Sequence, residues 1–254
     1  MYKFFLFVVA ASYRIRNDNV TYPLGFIARE INKKEISKVS SKEISKEISK
    51  FDWRNKVNVP IRNQGQCGSC WAFATIAPIE YLYTYISGKP IHISEQELIS
   101  CNSHGYSCNG GWWDYDDMKK NGVYLNSSFP YDGINEPCKL VKPYDDIHVI
   151  EWYYIENDIE EIKNALMYSP VATSVSVSDD FYKYIDGVFD YDSKGPINHA
   201  VVLVGWDDSL ESWILRNSWS ERWGMNGYMY IKYNTNSIGT NSVFSKINCS
   251  SYSY

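Results

Sequence analysis

The chain has 254 residues and a formal net charge of −5 at pH 7, and 44% of its residues are hydrophobic. This length allows one large domain or two smaller ones that share a cleft, with ample apolar content for a core. The negative charge and the lack of a basic stripe argue against nucleic-acid binding. No apolar run reaches about 18 residues, so the sequence predicts no stable membrane span.

The first 50 residues differ in composition from the rest of the chain. Residues 1–11 contain one basic residue, an apolar stretch and small residues, which is typical of a short signal peptide. Residues 12–50 are charged and repeat Lys-Glu-Ile-Ser-Lys at 34–38, 42–46 and 46–50. Such a tract buries little apolar surface alone, so it is interpreted as a short pro-segment, a linker or a weak helix.

Residues 64–73 read Gln-Gly-Gln-Cys-Gly-Ser-Cys-Trp-Ala-Phe, a pattern that indicates a nucleophile. The two glycines permit a tight or positive-φ backbone. From Trp71 the sequence is helix-like, with Pro78 tolerated only as a local kink. Cys70 is therefore predicted at a helix N-terminus, where the macrodipole favours thiolate over thiol. The alternative is a disulfide-rich loop that contains both Cys67 and Cys70.

Two motifs further along the chain supply partners for a thiol. Asn198-His199 precedes an apolar, β-branched run, so His199 is predicted to begin a buried strand. Asn217 lies in the run Trp-Ile-Leu-Arg-Asn-Ser-Trp, which ends at Trp219. His199 and Asn217 follow Cys70 by about the 130 to 150 residues expected when a base and its orienting amide face the thiol from a second lobe.

Together these motifs resemble those of the papain-like cysteine proteases, from about Phe51 to about Val243. The matching runs are Asp52-Trp-Arg54, Ser94-Glu-Gln-Glu-Leu98, Cys108-Asn-Gly-Gly111, Asn198-His-Ala-Val201, Asn217-Ser-Trp219 and Trp223-Gly-Met-Asn-Gly-Tyr228. The resemblance implies an α+β fold with two lobes, helical at about 51–150 and an antiparallel sheet or barrel at about 151–254. The active site would lie in the cleft between them.

The resemblance also implies a cysteine endopeptidase that works through an acyl-enzyme, with neither cofactor nor metal. Cys70 would be the nucleophile and His199 the proton shuttle, paired as thiolate and imidazolium. Asn217 would orient the imidazole. The Gln64 side-chain amide would stabilise the oxyanion together with the Cys70 backbone N–H. Trp219 would shield the His199–Asn217 hydrogen bond, with ordinary core packing as the alternative.

Substrate is expected to bind as an extended peptide, mainly through its backbone. The bare backbone of two glycines would approach it closely. Two tryptophans would wall the pocket for the second residue before the scissile bond and favour an apolar or aromatic side chain. The predicted binding residues are Gly110, Gly111, Trp112, Trp113, Ser174, Ile197, Asn198 and Trp219. Lys246 at the pocket floor would admit an acidic side chain, but a solvated surface lysine is the preferred interpretation.

Cysteine usage indicates an oxidising compartment. The resemblance implies the disulfides Cys67–Cys108 and Cys101–Cys138, although the sequence alone allows other pairings. Cys249 is then left over and is predicted to be an exposed thiol in a surface tail. Zinc is disfavoured because the Cys-x-x-Cys run has no second matching pair. Three histidines without a motif are expected to be surface or structural residues: His92, His104 and His148.

The resemblance implies protein or peptide substrates, inhibitors of the cystatin type, a monomer, and a lysosome-like or vacuole-like acidic compartment or secretion. Papain-like proteases usually carry a longer inhibitory propeptide with a helical motif, and residues 12–50 lack that motif. The competing hypothesis is a non-catalytic papain-like binding or structural protein. Such proteins usually lack the nucleophile or the histidine, so the intact set of Cys70, His199, Asn217 and Gln64 favours the enzyme.

Overall fold

The computed structural model of the chain describes residues 13–32, 35–37 and 48–250. The predicted signal peptide and most of the Lys-Glu-Ile-Ser-Lys tract lie outside the described residues. Residues 13–32 contain no helix and run largely extended, so the weak-helix interpretation is wrong for that part. The run Tyr-Pro-Leu-Gly-Phe at 22–26 is apolar, unlike the charged repeats, and this explains how it can pack against the protein.

The helical lobe contains α1 (Cys70–Ser87), α2 (Glu95–Cys101) and α3 (Tyr115–Asn121). Helix α1 is buried continuously from Cys70 to Tyr83 and passes through Pro78 without ending. It stops at Gly88, whose left-handed backbone (φ +67°) caps the last turn. Ser94 caps α2, since its hydroxyl accepts a hydrogen bond from the Glu97 N–H at 3.0 Å.

Two disulfides join the loops of the helical lobe. Cys67 pairs with Cys108 and Cys101 pairs with Cys138, the pairings that the resemblance implies. Cys70 and Cys249 are free. Cys249 is 2% exposed, so the prediction of an exposed tail thiol is wrong.

The second lobe is built on an eight-stranded sheet in the order β3-β10-β4-β7-β8-β9-β6, with β2 also paired to β7. Most neighbouring strands are antiparallel, and β6 runs parallel to β9. The strand bounds, in chain order, are β1 Arg14–Ile15, β2 Lys50–Asp52, β3 Ile147–Tyr154, β4 Val171–Val175, β5 Tyr184–Asp186, β6 Val188–Phe189, β7 His199–Asp207, β8 Ser212–Arg216, β9 Tyr228–Lys232 and β10 Thr240–Cys249.

The C-terminal region differs most from the sequence-based expectation. The sequence predicts a surface tail around Cys249, but β10 lies between β3 and β4 and several of its side chains are buried. The residues that pair with β10 lie about 65 to 100 positions away in sequence, so no local pattern indicates them. The sheet lobe also contains two helices that were not predicted, α4 (Ile159–Leu166) and α5 (Asp179–Lys183).

Contacts between the lobes hold the cleft in shape. The buried side chain of Arg216, in β8, donates to the carbonyls of Val59 and Pro60, at 2.8 and 2.7 Å. Trp53 donates through Nε1 to the Leu166 carbonyl at 2.8 Å. These contacts use backbone acceptors that would otherwise be buried without partners. Within the described ranges, no helix combines the length and the hydropathy needed to cross a bilayer.

Candidate active site

Cys70 is the first residue of α1 and is fully buried at the base of the cleft. The loop before it is tight, since the Gly68 N–H donates to the Cys108 carbonyl at 2.9 Å. A Cβ at Gly68 would lie 2.6 Å from that same carbonyl oxygen, so only glycine fits. The Cys67–Cys108 disulfide fixes the two sides of this contact. Cys70, the predicted nucleophile, is thus placed by a glycine turn and a covalent link.

His199 approaches from the other lobe, as the first residue of β7. Its Nε2 lies 2.8 Å from the Asn217 Oδ1, and the Trp219 ring stacks on the imidazole with centroids 4.6 Å apart. The Ser218 N–H donates to the same Asn217 oxygen at 2.8 Å. An imidazole bonded in this way is held in one orientation. Its other nitrogen, Nδ1, is buried and has no hydrogen-bond partner among the described residues.

Gln64 lies at the junction of the two lobes and is fully buried. Its Nε2 donates to the Cys67 carbonyl at 2.9 Å and to the Pro23 carbonyl at 3.0 Å. Its Oε1 accepts from the Ser218 hydroxyl at 2.7 Å. Tyr131 donates through its hydroxyl to the Gln64 carbonyl at 2.7 Å. The side-chain amide is therefore oriented from both lobes and aimed at a peptide carbonyl in the cleft.

That carbonyl belongs to the N-terminal segment of the same chain, described at residues 13–32 and 35–37, part of which lies along the cleft. Gly111 donates its N–H to the Gly25 carbonyl at 2.9 Å and accepts from the Ile27 N–H at 3.0 Å. The Phe26 N–H donates to the Asn198 carbonyl at 3.2 Å. The segment and Gly111 pair in parallel. Gly110 allows this approach, because a Cβ there would lie 2.9 Å from the Gly25 carbonyl oxygen, whereas a Cβ at Gly111 would lie 2.6 Å from the Trp71 ring.

The segment fills the two ends of the cleft with aromatic side chains. Tyr22 stacks on Trp219 with centroids 4.5 Å apart and the two ring planes nearly parallel. Phe26 packs between Trp112 and Trp113, with centroid distances of 4.8 and 4.6 Å. The two tryptophans therefore wall a pocket that accepts an aromatic ring.

Between those two ends, the backbone of Gly25 passes directly over the nucleophile loop. A Cβ at Gly25 would lie 1.8 Å from the Gly68 carbonyl oxygen. The Gly25 N–H also faces the Cys70 sulfur and acts to lower the pKa of that thiol. Glycine is thus required in both segments at this crossing, at Gly25 and at Gly68.

The remaining predicted substrate-binding residues lie outside the contacts with Phe26. Ser174 is buried in β4 and donates to the Thr240 carbonyl at 2.7 Å. Ile197 is partly buried against the core. Lys246 lies on the sheet surface and pairs with Glu151 at 2.6 Å, so the pocket-floor interpretation is wrong. Gly110 has φ +125°, a conformation that favours glycine.

Burial determines the protonation of the covered pair. Burial raises the pKa of the Cys70 thiol to about 11, and backbone N–H groups, the most effective that of Ala200, offset this only in part. Burial likewise lowers the pKa of His199 to about 4, against the opposing effect of its Asn217 hydrogen bond. Burial in this covered cleft thus favours the neutral form of each group taken singly. The predicted thiolate–imidazolium pair requires each charge to be stabilised by the other or by solvent.

Sequence reasoning missed three contributors to the site. Ser218 and Tyr131 orient Gln64 through their hydroxyl groups, but no sequence motif assigns that role to either residue. The segment at 22–26 was missed because residues 12–50 were considered as one charged tract. Its apolar composition is the signal that could have separated it from the repeats.

Comparison with known proteins gives the family. The profile described as papain family cysteine protease matches residues 48–247. Germination-specific cysteine protease 1 of Arabidopsis thaliana is 35% identical over 217 residues, which cover 82% of this chain and 57% of that protein. Chymopapain of Carica papaya is 34% identical over 212 residues, covering 80% and 60%. The chain thus spans somewhat more than half the length of these two relatives.

Solved structures agree with the two-lobe architecture. The proform of the ragweed pollen allergen cysteine protease Amb a 11 matches with a TM-score of 0.73 at 29% identity, covering 81% of this chain and 70% of that one. A recombinant stem bromelain precursor gives 0.73 at 28% identity, covering 89% and 77%. Bromelain from Ananas comosus in complex with E64 gives 0.71 at 29%, covering 78% and 99%. These matches confirm the predicted α+β, papain-like fold, and the chain belongs to the papain family of cysteine proteases.

Proposed function

We propose that the protein is a cysteine endopeptidase that hydrolyses peptide bonds in proteins. The observation that carries this proposal is that the Cys70 thiol, at the head of α1, faces the backbone N–H of Ala200, the residue after His199 of the His199–Asn217 pair, in a cleft that already holds a peptide. The Gln64 amide supports it, because its donor is aimed at a carbonyl of that peptide. The family to which the chain belongs supports it independently.

The chemistry begins with transfer of the thiol proton from Cys70 to His199. The number of bound protons does not change, so this step needs solvation and proximity rather than an external base. The thiolate attacks the carbonyl carbon, and the Gln64 amide with the Cys70 N–H stabilises the oxyanion. His199 then protonates the leaving amine, which gives an acyl-enzyme. Water, deprotonated by His199, releases the acyl group and restores the thiol.

Residues 13–37 act in this proposal as a built-in inhibitor. A substrate would place its acyl side at Trp112 and Trp113 and its leaving amine toward His199 and Trp219. The segment runs the opposite way, with Tyr22 at Trp219 and Phe26 at the tryptophan pocket. The segment therefore crosses Cys70 in the direction opposite to that of a substrate, and its carbonyl groups are not oriented for attack by the thiolate. Similarity to proform structures supports the same interpretation.

Specificity is proposed to favour an aromatic or large apolar side chain at the second residue before the scissile bond. Phe26 supports this, since it already fills the pocket between Trp112 and Trp113. An acidic residue is not favoured there, because Lys246 is paired with Glu151 elsewhere on the sheet.

The proposed setting is an acidic vesicle, a vacuole-like compartment or the cell exterior. The two disulfides support passage through an oxidising compartment. Proteins or peptides are the proposed substrates and cystatin-type proteins the proposed inhibitors. Complexes of neighbouring structures with E-64 support binding of thiol-directed ligands in this cleft.

An epoxysuccinyl probe such as E-64 tests the function directly. The full chain and a Gly25→Ala variant, in which the segment is displaced, are labelled between pH 4 and 8. In the Gly25→Ala background we expect labelling of Cys70 far faster than of free cysteine, lost in Cys70→Ser and slowed at least about 100-fold in His199→Ala. Cys249→Ser, which removes the other free thiol, is the matched control and should label like the parent. Labelling at the rate of free cysteine, insensitive to His199→Ala, would show a non-catalytic binding protein.

A further inference from the structure

A cluster of chemistry-bearing side chains lies in the helical lobe, outside the cleft. The loop between Cys101 and Cys108 packs against α3 and the residue before it. There His104, Asp114 and Asp117 each offer a ligand atom, and these atoms lie within 4.8 Å of one another. His104 had been expected to be merely a surface or structural residue.

Asp114 is the unusual member of the cluster. Its side chain is fully buried, and within the described residues neither carboxylate oxygen has a partner at hydrogen-bonding geometry, although the Asp117 N–H faces the carboxylate. The Nε2 of His104 lies 3.6 Å from the Asp114 Oδ1, beyond normal hydrogen-bonding distance. A buried carboxylate is strongly unfavourable unless it is paired, so this position favours binding of a positively charged group.

Asp117 and His104 are positioned to bind the same positively charged group as Asp114. Asp117 is oriented by the backbone N–H and the hydroxyl of Ser103, at 2.6 and 2.9 Å. Such hydrogen bonds hold metal-binding carboxylates in position. The His104 ring is partly open to solvent and stacks on Tyr106 at 5.1 Å, which leaves an entry path.

The carboxylates of the cluster have no lysine or arginine partner. Across the described parts of the chain, the ion-pair contact of Asp114 is with His104, and none of the ion pairs formed by lysine or arginine involves Asp114 or Asp117. A cation is therefore the kind of group that this set of side chains would bind.

We propose that His104, Asp114 and Asp117 bind one zinc ion. One imidazole nitrogen and two carboxylate oxygens are ligands that zinc accepts, with water completing the tetrahedron. Calcium would require about six to eight oxygen ligands, more than the site supplies. Tetrahedral zinc needs ligand atoms roughly 3.4 Å apart, so the three side chains would close slightly around the ion; the His104–Asp114 pair is already at 3.6 Å. The ion would join the Cys101–Cys108 loop to the chain directly after Trp113.

Zinc titration of the full chain tests this, with Cys70→Ala as the parent so that the active-site thiol cannot bind metal. Calorimetry at pH 7.5 should give one zinc per chain at micromolar free metal, with a rise in Tm. Asp114→Asn and His104→Ala should each weaken zinc binding by at least about tenfold. The matched controls, Asp116→Asn on the same helix and His148→Ala at another exposed histidine, should bind like the parent.

Three outcomes would overturn the proposal: no zinc uptake by the parent, uptake unaffected by both ligand variants, or tighter binding of calcium than of zinc. Misfolding is separated from lost ligation by the metal-free Tm. Asp114→Asn removes an unpaired buried charge, so its metal-free Tm should equal or exceed that of the parent. Should that variant fold poorly, His104→Ala decides, because the substitution of a partly exposed side chain leaves the core intact.

Discussion

The helical lobe holds Cys70 in a loop closed by a disulfide, whereas the sheet lobe holds His199 in a ladder of hydrogen bonds. Cys70 follows a glycine turn tied to Cys108 through both a hydrogen bond and the Cys67 bridge. His199 begins β7, which pairs with β4 on one side and β8 on the other. The structure contains no disulfide in the described part of the sheet lobe.

The difference follows from what each residue must do. A nucleophile at a helix N-terminus needs a sharp turn that regular structure does not supply, so glycine and a covalent link hold it. A base on a strand is positioned by neighbours that are themselves regular. The helical side of the site should therefore depend on cross-links, and the sheet side on burial. Each prediction below tests one side of this contrast or a contact between the two.

The largest expected effect comes from removing the helical lobe's cross-link. The Cys67→Ala/Cys108→Ala double variant should lose about 4 kcal/mol of unfolding free energy, because the bridge joins residues 41 positions apart. Urea denaturation measures the loss. The control is Cys249→Ala, a buried cysteine of the sheet lobe without a bridge, which should cost only about 1 kcal/mol. Equal losses would show that the bridge contributes no more than a packed thiol.

Gln64 tests the contact between the lobes. Gln64→Ala should lower kcat/KM by about 10²- to 10³-fold, because it removes a donor to the oxyanion. Ser218→Ala, which removes only the hydroxyl that orients Gln64, should lower it less, by about tenfold. Peptide hydrolysis by the uncovered enzyme measures both. Gln66→Ala, an exposed glutamine of the same loop, should be without effect, and a loss there would mean that the loop as a whole had shifted.

His199 tests the dependence of the sheet side on burial. Its folded-state pKa of about 4 lies below the ordinary value of 6.5, so the unfolded chain binds the proton more tightly. The stability contributed by keeping His199 neutral is therefore present above pH 6.5 and is lost as the pH falls toward 4. The loss is about 3 kcal/mol.

Unfolding free energies of the parent and His199→Gln between pH 4 and 7 measure this effect as a difference. The difference should shrink as the pH falls, whereas His148→Ala should follow the parent throughout. A difference that is constant with pH would mean that His199 is not held neutral in the covered cleft.

Gly25 tests the segment that touches both lobes. Gly25→Ala places a Cβ against the Gly68 carbonyl, and the clash should weaken seating of the segment by about 1–3 kcal/mol. The rate at which E-64 labels Cys70 should then rise about tenfold or more. Thr21→Ala, an exposed position of the same segment, is the control. An unchanged rate in Gly25→Ala would show that the segment does not limit access.

The sequence alone indicated much of the fold and the chemistry of the site. The run around Cys70, the histidine before a β-branched strand and the Asn-Ser-Trp run are local patterns with direct physical meaning. The helix that starts at Cys70 and the buried strand that starts at His199 follow from such patterns and are present. What failed depended on distant partners: β10 and the burial of Cys249. The preferred prediction of a surface position for Lys246 is confirmed.

The sequence by itself determined which groups are available: a thiol at a helix start, an imidazole at a strand start and amides to orient them. Only the tertiary structure decided their state. Whether Cys70 is a thiol or a thiolate depends on burial beneath Gly25, and whether Asp114 has a partner depends on a loop ten residues away. Solvation and electrostatic interactions arise between segments that are brought together by folding, so spacing along the chain cannot reveal them.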